Sequence, residues 1–142
     1  MKKDVERFVE RAKKDFLNWL KRPSSKDQPV TFNVLIKEED DILVAHCLEL
    51  DIVATADSLK EVKEDISSLI IAQIDYAFSN NNLEHLFHPA SQEVWSEFFS
   101  CKKKAIKERH KIEPSFQKDV SSVPPPPWII TNTYQAPRLS HA

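Results

Sequence analysis

Apolar and polar positions along this chain switch between helical and strand periods, and the switches mark its elements. From Lys3 to Arg22, Val5, Phe8, Val9, Ala12, Phe16, Trp19 and Leu20 recur at helical spacing, with Asp4 as the expected N-cap, and the helix ends before Pro23. Ser24 to Pro29 reads as a linker because Pro, Ser and polar residues cluster there. Val30, Phe32, Val34 and Ile36 then alternate with Thr31, Asn33, Leu35 and Lys37, the period-two pattern of a strand. Glu38 to Asp41 supply a hairpin turn, with aspartate accepting the positive φ that glycine usually provides. The turn is expected to be strained or longer than two residues. Ile42 to Leu48 return as a second strand, Leu50 and Asp51 make a corner, and Ile52 to Ala56 form a third. Connections this short favour antiparallel order.

Ser58 and Glu61 have capping-box spacing, and Leu59, Val62, Ile66, Leu69, Ile70, Gln73, Ile74, Ala77 and Phe78 share one helical face suited to covering the sheet. Leu83, Leu86, Phe87 and Pro89 form an apolar loop. A further helix is predicted from about Ser91, with Val94, Trp95, Phe98, Phe99 and Ile106 packing and Lys102 to Lys104, Lys107, Arg109 and Lys111 as its basic end. Ser121 to Pro127 includes four consecutive prolines, read as a stiff tether. It delivers Trp128 to Tyr134, a β-rich segment that joins the sheet as a fourth strand or pairs with a second subunit. The pattern predicts an α+β fold: a three- to four-stranded, mainly antiparallel sheet covered by a long helix, with an extra N-terminal helix and a C-terminal helix and tail strand. Three segments follow: 1–29, a sheet-helix core over 30–90, and 91–142.

Composition narrows the function. The 142 residues contain no glycine, where average usage predicts about ten. P-loops, dinucleotide-binding fingerprints and nucleophile elbows, which need glycine where backbone turns tightly or meets phosphate, are absent in their usual form. No run approaches the ~18 apolar residues of a membrane span, and the N-terminus has no secretory pattern, so a cytoplasmic protein without membrane contact is expected. Cys47 and Cys101 are accordingly expected as reduced thiols. The net charge of −2 hides an asymmetry. Residues 30–97 hold fourteen Asp or Glu against three Lys, while both flanks are basic. An acidic centre would repel a phosphate backbone and attract a cationic protein surface if its charges lie on one face.

Candidate chemistry is sparse. Asp40, Asp41, Glu49, Asp51 and Asp57 are the carboxylates a two-metal nuclease would need, yet each sits in a turn, corner or cap that already explains an acid. His46, Cys47, His85, His88 and Cys101 lack paired-ligand spacing, and neighbours His46 and Cys47 face opposite sides of a strand, with Cys47 inward. No catalytic residue, metal or cofactor is assigned.

The run Val44-Ala45-His46-Cys47-Leu48-Glu49-Leu50-Asp51, followed by Ile52 to Ala56 and Asp57-Ser58-Leu59-Lys60-Glu61, resembles the HicB-like antitoxin pattern. That pattern reads Val-Ala-x-Cys-x-Glu-Leu, a short strand, then Gly-Asp-Thr-Leu-x-Glu-Ala. The resemblance covers about residues 30 to 75, roughly a third of the chain, with Ala56 in place of the glycine, Ser58 in place of Thr and Val62 in place of Ala. It implies a partial ribonuclease-H-like fold, assembly into homodimers or higher oligomers, and neutralisation of a small basic mRNA-cleaving toxin. Asp40, Asp41, Glu49 and Asp51 are then the partner-binding candidates. No ribbon-helix-helix or helix-turn-helix module is recognisable, so direct nucleic-acid binding by the core is not expected. The alternative is a standalone homo-oligomeric scaffold for another protein or a small ligand.

Overall fold

The structure, a computed structural model, describes residues 2–21, 30–80, 82, 85–111 and 128–137. The expected linker at Ser24 to Pro29, Leu83 and the proline run lie outside them. Helix α1 (Lys2–Lys21) precedes strands β1 (Val30–Glu39), β2 (Ile42–Cys47) and β3 (Ile52–Ala56), then helices α2 (Leu59–Ser79) and α3 (Gln92–Cys101). A 3₁₀ turn at Lys102–Lys104 leads into β4 (Ile106–Lys111), and β5 (Trp128–Gln135) follows. The strands form one sheet in the order β3-β2-β1-β5-β4.

The α+β architecture, the mainly antiparallel sheet and the long covering helix are as the pattern predicts. The tail strand β5 joins this sheet, running parallel to β1 with Val30 beside Ile129 and Ile36 beside Gln135. Residues 106–111 depart from expectation. They are a fifth strand, antiparallel to β5, rather than the basic end of a helix. α3 stops at Cys101, and in Ile106-Lys107-Glu108-Arg109-His110-Lys111 every second side chain faces the same way, so Glu108 and His110 turn inward together. Asp4 likewise falls inside the first turn of α1, which begins at Lys2, rather than capping it.

The hairpin turn has two residues, since Glu39 pairs with Ile42. Asp40 and Asp41 adopt φ of 52° and 66°, the doubly left-handed geometry of a type I′ turn. Of the two forms expected without glycine, strained or longer, the turn takes the strained one, because aspartate tolerates this region. Ser58 Oγ accepts from Glu61 N at 3.1 Å, which starts α2.

β1 is buried on both faces. Val30, Phe32, Val34 and Ile36 point into a core with Ala45, Cys47, Ala54 and the inner face of α2, namely Val62, Ile66, Ile70, Ile74, Ala77 and Phe78. Leu35, on the opposite face, packs in a second core with Leu48, Trp95, Phe98 and Tyr134. α1 serves both. Phe16 meets Phe32 and Trp19 meets Phe78 in the first core, whereas Phe8 lies 5.5 Å from Trp95 and 6.2 Å from Phe98 in the second. Full burial of each such side chain contributes about 1.5–3 kcal/mol, so α1 docks through its apolar stripe. No helix among the described residues is long and apolar enough to cross a membrane.

Candidate functional site

The antiparallel register decides which acidic side chains meet. β2 carries the chain away from the hairpin and β3 returns it, with Ala56 beside Leu43. Asp57 and the start of α2 therefore share an end of the sheet with Glu38, Glu39, Asp40 and Asp41. These four, Asp57 and Glu61 are all exposed. Asp51 and Glu49 lie at the other end, separated from the hairpin by β2, a span of about 17 Å at 3.4 Å per residue. The four partner-binding candidates thus form no single surface. Asp40 and Asp41 stand together, and Asp51 faces elsewhere.

Glu49 is inside the protein, 1% exposed, which removes it from any contact surface. The physical reason lies in the corner. Leu48 N donates to Asn33 O at 2.8 Å, His88 N to Glu49 O at 2.9 Å and Ala90 N to Leu48 O at 2.8 Å, so residues 48–49 are held between β1 and the segment before α3. The Glu49 carboxylate then accepts from Asn33 N at 2.8 Å and from Asn33 Nδ2 at 2.5 Å. Asn33 Oδ1 in turn accepts from Asn132 Nδ2 of β5 at 3.2 Å, so one polar chain ties β1, the corner and the tail strand. Burial pushes the Glu49 carboxyl up to about 7, with the Asn33 hydrogen bonds pulling against the shift.

Asp51 takes φ of 54° and its Oδ1 lies 2.6 Å from His46 Nε2, across the face of the sheet opposite Cys47. Cys47 is fully buried, and burial, reinforced by Glu49, raises its thiol well above the ordinary range. A thiol held protonated in this way is inert as a nucleophile. Neither cysteine is in a disulfide. Among the described residues no three His, Cys, Asp or Glu side chains converge as a metal site would require.

A groove that the sequence did not reveal runs between α2 and β4, with a volume of about 590 Å³. Lys60, Lys63, Ser67 and Ile71 line it from the helix, and Glu108 and His110 from the strand. Lys63 Nζ and Glu108 Oε1 lie 2.6 Å apart across it. His110 Nε2 lies 2.8 Å from Thr131 Oγ1 and 3.5 Å from Ser67 Oγ. Burial holds His110 below the ordinary imidazole range, with Glu108 opposing the shift and Lys63 adding to it. Ser67 donates its proton to Lys63 O at 2.8 Å, and its distance to His110 is at the limit of a hydrogen bond. The pair is arranged to hold helix against strand, not to activate a hydroxyl. The signal that would have found the groove is the period-two alternation of Glu108 and His110, hidden by the basic residues around them. No family model, curated protein or solved structure matches this chain.

Proposed function

We propose that this chain is a non-enzymatic, self-associating cytoplasmic binding protein of the antitoxin type, which masks a small basic RNA-cleaving protein with an acidic surface. The observation that supports this best is the gathering of Glu38, Glu39, Asp40, Asp41, Asp57 and Glu61 at one end of the sheet. Carboxylates grouped this way repel RNA and steer a cationic protein surface toward the domain, with an on-rate that falls as salt rises. Resemblance to the HicB-like pattern in residues 44–61 names the class of partner.

The test is purification of the chain from its native host under mild salt, followed by identification and assay of what accompanies it. A stoichiometric, small, strongly basic protein is expected, whose RNA cleavage stops when the purified chain is added back. Asp40→Lys with Asp41→Lys is expected to weaken that inhibition and flatten its salt dependence. Absence of such a protein, or inhibition indifferent to the double substitution, refutes the reading. A second reading, a standalone scaffold binding a small ligand, is favoured by one feature, the 590 Å³ groove beside His110.

A further inference from the structure

The two edges of the sheet are built differently. β4, at one edge, carries Lys107, Glu108, Arg109, His110 and Lys111, the charged composition that keeps an edge strand from pairing. β3, at the other, reads Ile52-Val53-Ala54-Thr55-Ala56, without charge or proline, and Val53 is 49% exposed. Among the described residues no strand pairs with its outer side. The two-residue turn makes Glu39 and Ile42 a hydrogen-bonded pair, so Leu43, Ala45 and Cys47 of β2 bond toward β3 and engage Ala56, Ala54 and Ile52. Val53 and Thr55 are left to direct N–H and C=O outward.

The helix above this edge has an apolar flank to match. Lys60, Lys63, Ser67 and Ile71 of α2 face the groove beside β4. At 100° per residue, Leu69, Gln73 and Tyr76 fall on the opposite flank, the β3 side, where Leu69 is 40% and Tyr76 59% exposed.

We propose that β3 pairs antiparallel with β3 of a second copy about a two-fold axis at Val53, joining two five-stranded sheets into one, with the Leu69 and Tyr76 flanks of α2 meeting across the same axis. This rests on the proposed self-association and supplies its interface. Placing Val53 opposite its own counterpart sets Asp51 against the partner's Thr55, a hydroxyl able to donate to the carboxylate, and Ile52 against the partner's Ala54. Over residues 50–56 every cross-strand pair is then apolar or complementary, and beyond them the partner's Glu49, level with Asp57, is turned into its own core. A register centred on Ala54 would instead set Asp51 against the partner's Asp57, like charge on like, and is disfavoured. The contact is isologous, so it closes at two copies.

Light scattering on the full chain during size-exclusion chromatography tests this. At about 100 µM, wild type is expected at twice the 16.4 kDa chain mass. Val53→Lys puts two ammonium groups on the axis and is expected to raise the dissociation constant at least about tenfold, with circular dichroism and melting confirming the fold. Tyr76→Lys, on an exposed helix flank, is expected to act in the same direction and decides the matter should Val53→Lys not fold. Ile106→Lys, at a 64% exposed position on the other edge, is expected to leave the mass unchanged. A monomeric wild type overturns both self-association and this interface. A dimer that persists in folded Val53→Lys or Tyr76→Lys overturns the interface and leaves self-association standing.

Discussion

Glu49→Gln separates the cost of burying a charge from the value of the hydrogen bonds made to it. The carboxyl is 1% exposed and accepts two hydrogen bonds from Asn33. Its folded-state pKa of about 7 stands above the ordinary 4.5. The folded protein therefore holds this proton more tightly than the unfolded chain, and the group contributes its full stability below pH ~4.5, which is lost as pH rises through ~7. At 1.36 kcal/mol per pH unit the difference is about 3 kcal/mol. Glutamine is neutral throughout. Its amide oxygen can accept from Asn33 N, and its NH₂ is satisfied when the Asn33 and Asn132 amides turn over, since each presents a donor on one side and an acceptor on the other.

Urea unfolding of both proteins between pH 4.5 and 8 reads the effect. Glu49→Gln is expected to match wild type within about 1 kcal/mol at pH 4.5 and to exceed it by about 3 kcal/mol at pH 8, because the folded-state value of about 7 already contains the hydrogen bonds made to the charged form. Glu49→Ala is expected to lose stability at both pH values, about 1–3 kcal/mol for each Asn33 donor left without an acceptor. A stability difference between wild type and Glu49→Gln that does not change between pH 4.5 and 8 refutes the reasoning, because it would mean that the carboxylate ionises as though in water.

Two further substitutions probe the frame around this site. Phe98→Ala removes a fully buried ring on which Phe8 stacks and is expected to cost about 3–5 kcal/mol by denaturant titration, showing that α1 and α3 belong to the folding unit. Asp41→Gly, at φ of 66°, is expected to raise stability by about 0.5–1 kcal/mol, since glycine takes the left-handed region without the steric cost of a Cβ; a loss would mean that contacts of the aspartate outweigh its strain.

Local rules carried most of the elements. The period of two over residues 30–36, the capping spacing of Ser58 and Glu61, and the tolerance of Asp40 and Asp41 for positive φ each depend on near neighbours, which is why they are legible in the chain. Leu35 also left a trace, an apolar residue on the polar side of its strand, but what covers it comes from α3, some sixty residues later.

The pairing of distant segments was decided only in three dimensions. β5 enters beside β1 because β1 is buried on both faces and its open side needs a strand to pair its N–H and C=O groups, and that insertion places β4 where basic residues suggested a helix end. The same pairing brings Asn132 to Asn33, while the corner held between β1 and the segment before α3 turns Glu49 inward and makes an expected surface acid a buried hydrogen-bond acceptor. Sequence determined that the centre of this protein is acidic, glycine-free and arranged as strands followed by a helix. Tertiary structure decided which of its carboxylates reach a partner, because exposure depends on the packing of residues far apart in the chain.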